Sequence, residues 1–422
     1  MRVLFVSNNY PPASFGGYEQ LCQEVARDLA RRGHVIRVLT SRPPVGYSPK
    51  CSDTMDASVR IDRLLHLETE AGVLKTVYRL ARDRTRLEKE NLTQLRRIVA
   101  DFRPDTALIW GMWNVPRSVP ATVEELLPNR VVYYLCDYWP SLPSAYLQKF
   151  EAPSARALTR APKKIIGSLA TRGLVGEDRH RLRLEHPICV SRAVRELLVQ
   201  SGVPIEHAAI IPNGIKLDEF PFPEGQNGRR GRSAPLKLVY AGRLSPEKGV
   251  QTAIRAFTQT CRGTEGNVTL DLIGSGPPGY ERLLKEMVLR DGLARSVSFR
   301  GSVPRSQMAA TLAQYDVLVF PSEWEEPSAR IVMEAMAVGL VVLGTTTGGT
   351  GEALVDGETG LTFPPGDAVA LATQIRRLLD DRELRHCLIR AARKRVEEKF
   401  TFQRMVNELE NYLQSMTSKD GV

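Results

Sequence analysis

The 422-residue chain is poor in the residues that staple, ligate or span. It has six histidines, six cysteines and 7% aromatic residues. The cysteines (Cys22, Cys51, Cys136, Cys189, Cys261, Cys387) stand singly with no CxxC pair. That spacing points to neither a zinc site nor a disulfide framework and fits a reducing compartment. No run of about 18 uncharged apolar residues occurs, so no segment reads as a membrane span. The start, Met1–Ser7, turns polar at Asn8 and Asn9 too soon for a signal peptide. A cytoplasmic protein is the expectation. The GxxxxGK[ST] spacing of a Walker loop is also missing.

What is present is ordinary globular composition, 42% hydrophobic and 25% charged. One core rarely grows past roughly 250–300 residues, so the length predicts two or three domains. The net charge of +10 is uneven. Residues 1–230 carry 34 Lys and Arg against 25 Asp and Glu, and residues 231–422 carry 24 against 23. The segment Lys75–Arg97 alone holds eight basic and three acidic residues. Such a patch suits an anionic partner, or is a solvated helix face. Nucleic acid would want aromatics among the cations, and only Tyr78 is there, so no nucleic acid is expected. Peripheral contact with an anionic membrane on the inner face is the better use, provided Leu74, Val77 and Leu80 point outward.

Short β-rich runs alternate with helical stripes along the whole chain, the pattern of parallel sheets covered by helices. Strands are predicted at Arg2–Ser7, Val35–Thr40, Ala107–Trp110, Val131–Leu135, Lys164–Ser168, Pro187–Ser191 and Ala209–Ile211. Tyr18–Arg32 is the first helix, with Leu21, Val25 and Leu29 on one face. Phe220–Pro235 lacks periodicity and is rich in Pro, Gly, Arg and Ser. It predicts the boundary, with a first domain over 1–220, a linker over 221–235 and a second domain over 236–398. The second set of strands is Leu236–Tyr240, Val268–Ile273, Val297–Arg300, Val317–Phe320 and Leu340–Gly344. A last helix, Phe402–Met416 within 399–422, is expected to cross back onto the first domain. Two such domains facing one another leave a cleft at the carboxyl ends of their strands, where open α/β folds bind ligands.

Several constellations follow strands and can carry chemistry. Gly242-Arg243-Leu244-Ser245-Pro246-Glu247-Lys248-Gly249 places two cations before a helix, which suits a diphosphate, although a solvated loop would look the same. Gly274-Ser275-Gly276 lets a ligand approach backbone. Pro321-Ser322 leads to Glu326, in the loop before Pro327, and to Glu334 on the otherwise apolar helix around Ala329–Val338. A glutamate in that setting requires a partner or a ligand. The helix start around Ser328, Ala329 and Arg330 would offer N–H groups to a phosphate. Gly348-Gly349 and Gly16-Gly17 are loop glycines that either open a binding site or merely turn the chain.

In their order these segments resemble the retaining GT-B glycosyltransferases of family 4. The resemblance covers nearly the whole chain, from Gly16-Gly17 and Arg32-Gly33-His34-Val35 through Ile211-Pro212-Asn213-Gly214 and Gly242-Arg243 with Lys248-Gly249. It continues through Gly274-Ser275-Gly276, Pro321-Ser322, the Glu-x7-Glu pair Glu326 and Glu334, and Gly348-Gly349 with Glu352, and ends at Asp356-Gly357 with Gly360. It implies the GT-B fold, two Rossmann-like α/β domains facing each other across a cleft. It implies transfer of a hexosyl residue from a UDP- or GDP-sugar to a glycan, lipid-linked or small-molecule acceptor, with no cofactor and no metal. Arg243 and Lys248 would then grip the donor diphosphate, Glu334 the ribose hydroxyls and Glu326 the transferred sugar, with the base near Arg300–Val303. Gly16, Gly17, Gly274, Ser328, Ala329 and Arg330 would complete the donor contacts, and Asp137 would line the acceptor side.

The chain departs from the pattern in three places. Many members carry a histidine after the fourth strand of the first domain, where this chain has Ile109-Trp110-Gly111-Met112-Trp113. Ser328 and Ala329 replace the usual glycine and aromatic, and Lys216 stands for a common aspartate. A chain that lost turnover and kept sugar-nucleotide binding, as a binding or scaffold protein, is the alternative reading.

Overall fold

A computed structural model describes residues 1–12, 16–43, 59–69, 72–151, 181–222, 235–261 and 267–417. The strand expected at Lys164–Ser168 and most of the 221–235 linker lie outside these residues. The chain divides into two compact units, one formed by Met1–Ile211 with Val406–Val422 and the other by Pro212–Met405. The second unit thus begins at Pro212, ahead of the linker. Ile215 and Phe220 belong to its core, and Ile215 pairs with Thr401.

The first unit is built on a seven-stranded sheet. Its strands are β1 (Arg2–Val6), β2 (Val35–Ser41), β3 (Val59–Leu65), β4 (Thr106–Ile109), β5 (Val131–Leu135), β6 (His186–Cys189) and β7 (Ala209–Ile210). They lie in the order β3-β2-β1-β4-β5-β6-β7, and every pair is parallel. Residues Val3–Val6 are fully buried, as a strand covered on both faces should be. β3 was hidden in the sequence because Arg60, Asp62 and Arg63 interrupt it. Asp62 is there for a neighbour. Arg37 of β2 is nearly buried, and its guanidinium donates to Asp62 at 2.6 Å and to Asp101 at 2.7 Å. The long helix Arg84–Phe102 buries Leu87, Asn91, Leu95, Ile98 and Phe102 along one stripe, and the basic residues of the sequence patch lie largely on its outer side.

The second unit holds β8 (Leu236–Ala241), β9 (Val268–Ile273), β10 (Val297–Gly301), β11 (Val317–Phe320), β12 (Val341–Gly344) and β13 (Leu361–Thr362). Their order is β10-β9-β8-β11-β12-β13, again all parallel. Alternate residues of β8 feed two cores. Leu238 and Tyr240 pack under the helices Val250–Cys261, Pro278–Arg290 and Ala368–Asp380. Val239 and Ala241 pack with Leu318 and Phe320 under Arg330–Ala337 and Arg382–Lys399. Asp367 and Asp381 cap two of these helices by accepting backbone N–H bonds.

The last helix, Phe402–Thr417, starts in the second unit and from Val406 belongs to the first. Met405, Val406, Leu409 and Leu413 are its buried stripe. Glu410 accepts from Arg32 Nη1 at 2.5 Å and lies 2.7 Å from His34 Nε2. Burial pushes the Glu410 carboxyl up, and the bonds to His34 and Arg32 outweigh that and hold it below the ordinary value. A carboxyl lowered on folding contributes stability above its unfolded value and loses it as pH falls through the folded one. Glu410→Gln should therefore cost about 1–2 kcal/mol at neutral pH, a gap that closes below roughly pH 4.3. Urea denaturation of both proteins across that range measures it.

Candidate functional site

In the second unit the strand order reverses between β8 and β11, and ligands of open α/β sheets bind beyond the carboxyl ends at that point. Four loops leave the sheet there and are packed on one another. Gly242 N–H donates to Ile273 O at 3.0 Å, and Leu244 N–H donates to Ser275 O at 2.9 Å. A Cβ on Gly274 would sit 1.8 Å from Gly242 O, so this glycine is required for the two loops to touch. Gly249 has φ +65°, and a Cβ there would lie 1.9 Å from Pro321 O. The loop carrying Lys248 can rest on the loop carrying Ser322 and Glu326 only because of it.

That contact brings two predicted residues together. Lys248 Nζ lies 2.5 Å from Glu326 Oε1, and Ser322 Oγ donates to the same oxygen at 2.6 Å. Glu326 is 9% exposed, and one ammonium with one hydroxyl offsets the cost of taking its charge out of water. Gly349 N–H holds Glu326 O at 2.6 Å, and Gly348, at φ +56°, comes too close to Glu326 for any side chain. Ser322 O in turn accepts from Thr345 Oγ1 at 2.6 Å. Among the described residues Glu326 Oε2 has no hydrogen-bond partner. Arg243 is exposed at the end of β8. Its carbonyl accepts from Tyr240 OH at 2.6 Å, and its guanidinium has no ion pair among the described residues.

Glu334, on the helix Arg330–Ala337, is 2% exposed. It has the partners its burial requires. Arg305 Nη1 donates to its Oε1, and Arg330 Nε lies 3.7 Å from the same atom. Its Oε2 is likewise unengaged by the described residues. The helix start is less open than the sequence suggested. Arg330 N–H is already used by Ser328 O at 3.1 Å, and Val332 N–H by Ala329 O at 3.0 Å. Arg305 was not foreseen, since nothing in the sequence ties it to a glutamate 29 positions on.

In the first unit the reversal falls between β1 and β4. Asn8 Nδ2 donates to Tyr18 OH and to Trp113 O, both at 3.0 Å. Gly16 is the N-cap of the helix Gly17–Arg31 and offers no side chain to it. In the stretch Ile109–Trp113, where a histidine was expected from the resemblance, Trp110 is fully buried, its ring stacked 4.5 Å from that of Tyr134. Trp139 packs on Tyr133 and is 5% exposed, which makes it a core residue. Asp137 Oδ1 accepts from Trp139 N–H at 3.0 Å, while Oδ2 has no partner among the described residues. Burial without a counter-ion raises its carboxyl to about 6, against the pull of the Trp139 bond.

Two family descriptions match this chain and together span nearly all of it. Glycosyltransferase Family 4 matches residues 15–219, and Glycosyl transferases group 1 matches residues 227–395. The chain is a GT-B glycosyltransferase related to these families. Glycogen synthase of Mycobacterium tuberculosis is 28% identical over 96% of this chain and 92% of its own. Among solved structures, sucrose-phosphate synthase of Thermosynechococcus elongatus superimposes with a TM-score of 0.73 at 19% identity, covering 99% of both chains. Anabaena HepE in complex with UDP gives 0.70 at 19%, covering 98% of this chain and all of its own. Both share the GT-B fold.

In this glycosyltransferase no group of three or more His, Cys, Asp or Glu that could hold a metal ion occurs among the described residues. The raised Asp137 carboxyl has a thermodynamic signature. Its ionisation opposes folding, so stability is lost as pH rises through about 6. Asp137→Asn keeps the acceptor for Trp139 N–H and removes that cost. The variant should unfold at higher denaturant than the wild type above pH 6 and match it near pH ~4. Equal midpoints at pH 8 would show that Asp137 is solvated.

Proposed function

We propose that this glycosyltransferase moves a hexosyl residue, with retention of configuration, from a UDP- or GDP-sugar to a glycan, lipid-linked or small-molecule acceptor. The observation that carries the donor half is the matched state of Glu326 and Glu334. Each is buried, each has Oε1 held by a cation, and each has Oε2 unengaged by the described residues. A carboxylate fixed at one oxygen and open at the other is a preorganised acceptor for sugar hydroxyls. HepE, which shares the fold, has been captured with UDP and with UDP-glucose, and this supports a uridine nucleotide as the first donor to try.

On this reading Glu334 takes the ribose and Glu326 the transferred sugar. Arg243, exposed and unpaired, and Lys248 take the diphosphate. As the sugar–phosphate bond breaks, negative charge grows on the leaving oxygens, and these two cations stabilise it without a metal. Lys248 bridges the two halves, since it touches the carboxylate that positions the sugar while facing the leaving group. The acceptor attacks from the face the diphosphate leaves, and a phosphate oxygen receives its proton. Asp137, with one oxygen open, lies on the acceptor side.

Release of nucleoside diphosphate from a panel of donors, in the presence of a chelator, tests the reading. One donor should turn over, and Glu326→Ala should lower kcat by about 100-fold or more. Binding of every donor with turnover of none, across a broad acceptor set, would favour the alternative, a sugar-nucleotide-binding or scaffold protein. The lack of a histidine in Ile109–Trp113, where Trp110 is buried, is the observation on that side.

We further propose a cytoplasmic protein that meets anionic membranes at the inner face through the first unit. Lys75, Arg82, Arg86, Lys89, Arg96 and Arg97 are exposed, and Tyr78 is 59% exposed beside them. Val77 and Leu80 are only partly exposed, and the Leu74 side chain lies outside the described residues, so the attraction proposed is chiefly electrostatic. Sedimentation with vesicles rich in phosphatidylglycerol should be strong at low salt and fall steeply by about 0.3 M. No binding at any salt would exclude it.

A further inference from the structure

Arg305 is a charged side chain near the edge of the second sheet to which the donor reading gives no role. It opens the short turn Arg305–Gln307 that follows β10, next to the Ser302–Val303 stretch where the base is expected. Its guanidinium is held on two sides. Nη1 donates to Glu334 Oε1, and the planar face lies 5.0 Å from the centroid of the Phe220 ring. Its Nε is buried and has no hydrogen-bond partner among the described residues. A free donor is sacrificed so that the flat face can rest on Phe220, and this fixes the direction in which Nη1 points.

Neutralising Glu334 does not by itself require Arg305. Arg330, one helical turn before the glutamate, already brings a cation to 3.7 Å of the same oxygen. What Arg305 adds is direction. A glutamate has three rotatable bonds, and a cation from its own helix leaves the plane of the carboxylate free to turn. A hydrogen bond to the same oxygen from a different loop, itself clamped on Phe220, locks that plane and leaves Oε2 without a partner among the described residues.

We propose that Arg305 is a positioning residue for the ribose of the donor nucleotide, holding Glu334 so that its open oxygen meets the ribose hydroxyls. This rests on the reading of Glu334 as the ribose acceptor. It makes recognition of the sugar in the nucleotide depend on the loop that is expected to meet the base, so that the two parts of a nucleoside are recognised as a unit. Arg305 touches no reacting atom. Its loss acts on donor affinity and KM and leaves kcat at saturating donor nearly unchanged.

The experiment measures binding of UDP, 2′-deoxy-UDP and 3′-deoxy-UDP by calorimetry to the full-length wild type, Arg305→Met, Arg305→Lys and Glu334→Gln, with the guanosine set used if GDP is the nucleotide that binds. The readout is the ratio of affinities within one protein, so a change in the folded fraction cancels. The wild type should prefer the ribonucleotide by about 10-fold or more over at least one deoxy analogue. Arg305→Met should bring that ratio close to 1, and Arg305→Lys should restore part of it. An unchanged ratio in Arg305→Met, with Glu334→Gln collapsing it, would overturn the role of Arg305 and leave the ribose reading standing. A Met variant that binds UDP more tightly than the wild type would overturn it too, by showing that Arg305 obstructs the ribose. A ratio indifferent to Glu334→Gln would remove the ribose reading itself, and this proposal with it.

Discussion

The ion pair between Lys248 and Glu326 joins two loops whose strands are adjacent in the second sheet and whose sequences are far apart. Its formation depends on an absence of side chain at Gly249, where the backbone of one loop meets Pro321 of the other. A buried carboxylate left alone would be costly, and so would an ammonium drawn in beside it. Together, with Ser322 completing the set, they are tolerated, and the remaining oxygen is left for a ligand. The surrounding threonines and glycines read sensibly from there. Thr345 fixes the carbonyl of Ser322, and Gly348-Gly349 close on the backbone of Glu326.

Much of this was legible beforehand, for reasons that can be named. Strands buried on both faces, such as Val317–Phe320 and Val131–Leu135, announce themselves as unbroken apolar runs. Helices with one wet face, such as Gly17–Arg31, announce themselves by spacing. The charged strand Val59–Leu65 did not, because its acidic residue answers a buried arginine on the neighbouring strand, a relation between elements that no local pattern encodes. The helix Ser118–Leu126 was hidden by Pro120. Gly274, read from the sequence as letting a ligand approach the backbone, and Gly249 are each also needed where loop meets loop.

The site was legible to the same extent and with the same limit. Residue types and order singled out Lys248, Glu326 and Glu334, but not that Lys248 and Glu326 touch, nor that Glu334 is held from two directions. Glu334, buried on an apolar helix, has the partner its burial requires. Arg305 and Arg330 both reach its Oε1, and Oε2 is the oxygen left for a ligand. The same reasoning applies in the first unit to Asp137, whose open oxygen has no cation near enough to lower its carboxyl.

The path of the final helix has a consequence for how the protein is made. The first unit includes Val406–Thr417, and every part of the second unit precedes those residues in the chain. On a ribosome, the second unit can therefore be complete while the first still lacks the helix that pairs with Arg32 and His34. The order of completion is the reverse of the order of synthesis. A nascent first unit waits through nearly two hundred residues of elongation with an apolar groove uncovered, a span of roughly 10–40 s at bacterial to eukaryotic rates, in which a holding chaperone would have its opportunity.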